Sequence, residues 1–140
     1  MNNKIGSDLK TLFIIQLLGT GIPGVLAMIY PSFIITLSGL DLASIPVMQQ
    51  VGGLAVGYTI GALLALRATK WEEVRVFVAA GLTANAFSLL GAIYYIFFVG
   101  VVTTGLVILL VIYVVLTAGF AYAWRKYDRA GAAGIVPATH

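Results

Sequence analysis

Four predominantly apolar stretches, at about residues 11–30, 47–66, 74–97 and 104–124, are separated by short polar clusters. A helix of about 20 apolar residues crosses the roughly 30 Å hydrocarbon core of a bilayer, so each stretch is long enough to span it. The stretches lack the period-2 alternation of barrel strands and far exceed the roughly 9–11 residues such strands need. In lipid every backbone donor and acceptor must be satisfied within the segment, which leaves helices. The pattern therefore predicts an all-α fold, an integral membrane four-helix bundle.

The charges set the topology. Lys4 and Lys10 precede the first span, Arg67, Lys70 and Arg75 lie between the second and third, and Arg125, Lys126 and Arg129 follow the fourth. These three places share one side of a membrane only if the number of crossings is even, which agrees with four spans. The positive-inside rule then puts both termini and the 67–75 loop in the cytoplasm. The outer loops carry only Asp41. A multi-pass protein of the cell membrane, plasma or inner, is the expected location.

The ends of the spans follow helix chemistry. Thr69 and Glu72 have the spacing of a capping box for the third helix, and Ser44 with Pro46 gives a cap and a proline start for the second. Trp71 and Trp124 fall at the inner interface, and Tyr30, Tyr94 and Tyr95 near the outer one. Between Pro31 and Leu40 the chain is too short to span again and too apolar for water. A short interfacial helix carrying Phe33, Ile34 and Leu37 toward lipid is expected. Val25-Leu26-Ala27 resembles a signal-peptidase site, but the apolar run continues through Tyr30, so the first span is read as retained. Residues 125–140 form an expected flexible cytoplasmic tail.

Small residues recur at every fourth position on two spans: Gly53, Gly57 and Gly61 on the second, and Ala80, Ala84 and Ser88 on the third. Lipid solvates leucine as well as a neighbouring helix does, so helix association in membranes relies on close backbone approach along such stripes. Close packing of these two helices is expected. The glycine stripe faces either the inside of a monomeric bundle or another subunit. The fourth span, rich in Val, Ile and Leu, is the expected lipid-facing wall.

Counting about 1.5 Å per residue from each end brings Thr20, Tyr58 with Thr59, Asn85 and Tyr113 to a common depth near the midplane. Unpaired polar groups are costly in hydrocarbon. They should meet one another or face a cavity, where Asn85 with Tyr58 and Tyr113 could hydrogen-bond a lipid or a quinone headgroup. The alternative is that Asn85 bonds a neighbouring helix and fixes register. In the first span Gly19-Thr20-Gly21-Ile22-Pro23-Gly24 predicts a kink or local unwinding, because Pro23 cannot donate to the Gly19 carbonyl.

Composition narrows the chemistry. Hydrophobic residues make up 61% of the 140 and charged residues 9%, so the spans leave no room for a soluble catalytic domain. Apart from Arg75 at the very start of the third, no Asp, Glu, Lys, Arg or His lies within a span, which argues against a proton relay or a voltage sensor. There is no cysteine, and the single histidine is His140. Paired axial haem ligands and histidine metal clusters are thus not expected from this chain. The net charge of +3 reflects topology and gives no reason to expect a nucleic acid. No cofactor and no enzyme activity are expected.

Tyr30-Pro31-x-Phe33 ending the first span, a following Leu40, Gln50-Val51-Gly52-Gly53 leading into Gly57, and a tryptophan-bearing basic loop after the second span together resemble the small four-helix DoxX-like membrane proteins of prokaryotes. Where related sequences often carry a basic residue before the Gly-Gly pair, Gln49 and Gln50 stand here. The resemblance implies architecture alone. The leading expectation is an accessory or scaffold subunit of a larger membrane assembly or a homo-oligomer. The alternatives are a carrier or binder of an apolar small molecule such as a lipid or quinone, and a quinone-site subunit of a membrane redox complex.

Overall fold

The computed structural model describes residues 4–40 and 44–133, with side chains as far as residue 129. The expectations for Asp41 and for the end of the tail lie outside these residues. The described chain forms five helices: α1 (Ser7–Ile29), α2 (Pro31–Ser38), α3 (Ile45–Arg67), α4 (Trp71–Val99) and α5 (Thr104–Ala133). All except α2 are long and apolar enough to cross a membrane. The protein is a helical, multi-pass membrane protein.

The three basic segments meet at one end of the bundle. The Ile5 N–H donates to the Thr69 carbonyl at 3.1 Å, and Lys4 pairs with Lys70 in an isolated antiparallel bridge. Lys126 forms an ion pair with Asp8 at 2.7 Å, and Arg75 one with Asp128 at 3.0 Å. The Tyr127 hydroxyl donates to Asp8 at 2.7 Å and accepts the Gly6 N–H at 2.7 Å. Trp71 stacks on Tyr127 with centroids 5.5 Å apart and meets Trp124 edge-on at 5.7 Å. Four antiparallel crossings bring these segments together. At the opposite end α2 packs on the start of α5, where Thr103 donates to the Ser38 carbonyl and accepts the Leu106 N–H.

Several local expectations change. The carboxylate that caps α4 is Glu73, which accepts the Thr69 N–H at 2.8 Å and the Lys70 N–H at 3.3 Å. Glu72 does not serve, because α4 begins at Trp71 and this makes Glu73 the third helical residue, the one that reaches back to the free donors. Ser44 holds the position before α3 but makes no side-chain cap bond. Helix α5 continues through residues 125–133, where a flexible tail was expected. Tyr127 and the ion pairs of Lys126 and Asp128 tie this extension to α1 and α4. At the proline motif α1 widens into a π-helical turn over Leu17–Gly21. A π turn shifts the bonding ladder by one residue, which accommodates Pro23 without breaking the helix.

Packing assigns the helices roles that differ from those expected. Helix α5 is a central element, pairing along its length with α4 through Leu116, Phe120 and Ala123, all almost fully buried. Gly81 of α4 leaves a slot for the Phe120 ring, and Phe120 in turn lies 6.2 Å from Phe13 of α1. The least buried spanning helix is α3, not α5. Branched aliphatic residues on α5 still face lipid at Ile108, Val111 and Val115, but the opposite side of the helix holds the core.

The close helix crossing lies between α1 and α3. A Cβ added at Gly24 would stand 2.7 Å from Ala55 Cβ, and one at Gly52 would stand 2.8 Å from the Gly24 carbonyl oxygen. Gly21 approaches Thr59 in the same way. The contact stripe on α3 thus includes Gly52, Ala55 and Thr59, and it starts one residue before the expected one. Gly53 and Gly57 have no atom of another described helix within 4 Å of a Cβ position. Helices α3 and α4 touch mainly near the basic end, where Gly61 meets the Phe77 ring and the Tyr58 hydroxyl donates to the Ala80 carbonyl at 3.0 Å. Close packing of α3 on α4 along both stripes is therefore replaced by an α1–α3 crossing. The backbones approach where glycines face each other on both helices, and α4 offers α3 a phenylalanine instead.

Candidate functional site

Two polar residues are buried among the described spans, Gln16 at 2% exposure and Asn85 at 3%. Asn85 Nδ2 donates to Gln16 Oε1 at 2.9 Å and to the Gly81 carbonyl at 2.7 Å. Gln16 Nε2 donates onward to Thr20 Oγ1 at 3.1 Å, and the Thr20 hydroxyl donates to the Gln16 carbonyl at 2.7 Å. A chain of side-chain bonds thus runs from α4 across to α1 and ends on Thr20. Each amide spends its polarity on a neighbour, as hydrocarbon surroundings require.

Thr20 also borders a cavity of about 320 Å³ in the half of the bundle away from the basic end. Helix α1 supplies Thr20, Pro23, Gly24 and Ala27, and α3 supplies Met48, Val51, Gly52 and Ala55. Helix α5 supplies Leu106, Leu109 and Tyr113, and α2 closes over it with Ile34 and Ser38. Ile34, expected to face lipid, lines the cavity instead, because α2 folds back against α3 and α5. Leu40, Tyr95 of α4 and Val101 complete the wall, and both Tyr95 and Thr20 belong to π-helical turns. Such turns rotate side chains out of the α-helical register and recur at functional sites. The size is at the lower end of the roughly 300–1,000 Å³ of small-molecule sites.

Among the described residues, no Asp, Glu, Lys, Arg or His borders the cavity. Its polar groups are hydroxyls, with Thr20 and Tyr113 near mid-span and Ser38 and Tyr95 toward the far end. The walls are otherwise apolar, so the site can solvate an uncharged hydrophobic molecule and offer it a few hydrogen bonds.

Of the four residues expected at a common depth, Thr20 and Tyr113 meet at this cavity. Asn85 joins it only through Gln16 and Thr20, and Tyr58 is turned toward α4 and away from it. Among the small residues, Ala80 receives the Tyr58 bond, and Ala84 and Ser88 are partly buried. Gln16 escaped sequence reasoning, although a signal existed: an amide four residues before Thr20 in an apolar span places two polar side chains on one helix face.

Comparison with known proteins finds no match. No family model, no curated protein and no solved structure is similar to this chain.

The Gln16–Asn85 pair permits a direct check. Replacing either residue by leucine leaves the other without its partner, and interhelical bonds of this kind contribute about 0.6 kcal/mol on average and up to about 1.7 kcal/mol. Gln16→Leu and Asn85→Leu should each destabilise by about 1 kcal/mol, and the double variant should cost less than their sum. Thermal unfolding in mild detergent measures this. Strictly additive losses would mean that the two amides are not coupled.

Proposed function

We propose that this protein binds an uncharged apolar small molecule within the membrane. The observation that carries the reading is the cavity between α1, α3 and α5, which has a hydrophobic wall, hydroxyls at two depths and, among the described residues, no ionisable carboxylate, amine or imidazole. A quinone or a lipid is a member of this ligand class, so a quinone-site subunit would use the same cavity. With the basic end in the cytoplasm by the positive-inside rule, the cavity lies in the outer half of the bilayer and α2 at its outer surface. The cell membrane is the compartment this arrangement fits.

Filling the cavity tests the reading. Leu109→Trp should project an indole into it and lower retention of a co-purifying neutral lipid at least tenfold in native mass spectrometry from mild detergent. Ile108→Trp, one residue away on the lipid-exposed face of α5, should leave retention unchanged. Equal retention by both variants, or no bound neutral molecule in the unmodified protein, would sink the proposal.

A second reading, an accessory or scaffold subunit, is favoured by a separate observation. Gly53 and Gly57 present open backbone on the least buried span, and such a surface admits close approach of another helix. The resemblance to DoxX-like proteins agrees with the four-span architecture and adds no activity to either reading.

A further inference from the structure

Resting on the binding role of the cavity, we propose that its ligand is a neutral alcohol, held by its hydroxyl group at Thr20 and Tyr113 with its apolar body extending toward α2. The polarity of the deep end follows from counting donors and acceptors. A threonine hydroxyl has one proton and two lone pairs. The Thr20 proton is committed to the Gln16 carbonyl at 2.7 Å, and one lone pair accepts from Gln16 Nε2 at 3.1 Å. What Thr20 has left is a single acceptor site. The Gln16 amide cannot turn away to free that lone pair, because its Oε1 is held by Asn85 at 2.9 Å, and the carbonyl that takes the proton is fixed backbone.

Tyr113 is complementary. Its side chain lines the same cavity and makes no hydrogen bond to another described residue, so the phenolic proton is available to the cavity. The pair therefore offers one acceptor and one donor to the same guest. A hydroxyl group matches both, donating to Thr20 and accepting from Tyr113. A carbonyl can use only Tyr113 and would leave its own oxygen against the spare Thr20 lone pair. A hydrocarbon uses neither group. A charged head is disfavoured, since none of the described residues bordering the cavity neutralises it and burial of an unpaired charge is costly.

Three probes of the same carbon skeleton separate these cases: farnesol, its aldehyde farnesal, and the hydrocarbon farnesene. Their binding to the full chain in lipid nanodiscs is measured by competition against radiolabelled farnesol. A hydrogen bond contributes enough to change affinity roughly 2- to 13-fold. Farnesol should bind about tenfold more tightly than farnesal and more tightly still than farnesene. Tyr113→Phe should bring farnesol and farnesal each down several-fold and leave farnesene unchanged. Thr20→Val should weaken farnesol alone, and Thr20→Ser should restore it.

If the three probes compete equally, the cavity is a binding site without head recognition and the alcohol proposal fails while the broader reading stands. Preference for farnesal over farnesol would likewise overturn it in favour of a carbonyl ligand. If none competes and Leu109→Trp matches the unmodified protein, the binding role itself fails. The probe series on the unmodified chain requires no variant to fold, so a poorly expressed Thr20→Val leaves the test intact.

Discussion

Gly52→Leu should separate α1 from α3 and cost at least about 3 kcal/mol, whereas Gly53→Leu, one residue further on, should be neutral or mildly stabilising. At Gly52 a Cβ would lie 2.8 Å from the Gly24 carbonyl oxygen, 2.9 Å from Met28 Cγ and 3.0 Å from Ala27 Cβ. The first of these is backbone and cannot rotate away. Overpacking of this kind typically costs about 1–3 kcal/mol and more where the neighbour is rigid. At Gly53 nothing lies within 4 Å, and removing a mid-helix glycine favours the helix by about 0.5–1 kcal/mol. Thermal unfolding of both variants in the same detergent decides the matter, and equal effects would refute the α1–α3 crossing. Loss of self-association in a well-folded Gly53→Leu would instead support the accessory-subunit reading.

Phe120→Ala should be the most damaging single truncation, at about 3–5 kcal/mol. The ring is fully buried and fills the slot that Gly81 leaves in α4, next to Phe13. Lipid cannot repay the loss, because the hole would open inside the junction of α1, α4 and α5 and not on the bilayer face. Val111→Ala on the exposed side of the same helix should cost well under 1 kcal/mol. A drop below about 1 kcal/mol for Phe120→Ala, by the same unfolding measurement, would mean that α5 does not pack through this face.

The contrast between neighbouring glycines shows where sequence reasoning reached and where it stopped. Hydropathy and the three basic clusters were enough for four spans and a common basic end, since both properties are summed over many residues and tolerate local error. A stripe of small residues shows that some helix can come close, but not which one. Gly52 and Gly53 are adjacent, so two candidate stripes run down α3 about 100° apart, and only the position of Gly24 on α1 selects between them. Depth counting put Thr20 and Tyr113 at one level because depth is fixed by length alone, and both line the cavity. It could not exclude Tyr58, whose rotation about the α3 axis depends on that same choice of stripe.

The α1 extension of the polar chain was hidden for a related reason. Gln16 reads as one amide among apolar residues until Asn85 is placed opposite, and that contact joins positions 69 residues apart. The proline motif gave a clear local signal, and its outcome, a π turn instead of a break, follows from α3 packing on Gly21 and Gly24 on both sides of Pro23. Cavities are the least legible feature of all. They arise from what five helices fail to fill, and no single segment encodes them.

The separation between Gln16 and Asn85 also has a meaning in time. A ribosome adding about 5–20 residues per second delivers Gln16 to the bilayer roughly 3–14 s before the asparagine it will eventually hold. During that interval the glutamine amide has only its own helix to turn to, and Thr20, four residues along, is the acceptor within reach. The short-range bond that later orients the cavity floor is therefore also a provisional partner. It lets a polar residue wait in hydrocarbon until the third span is made.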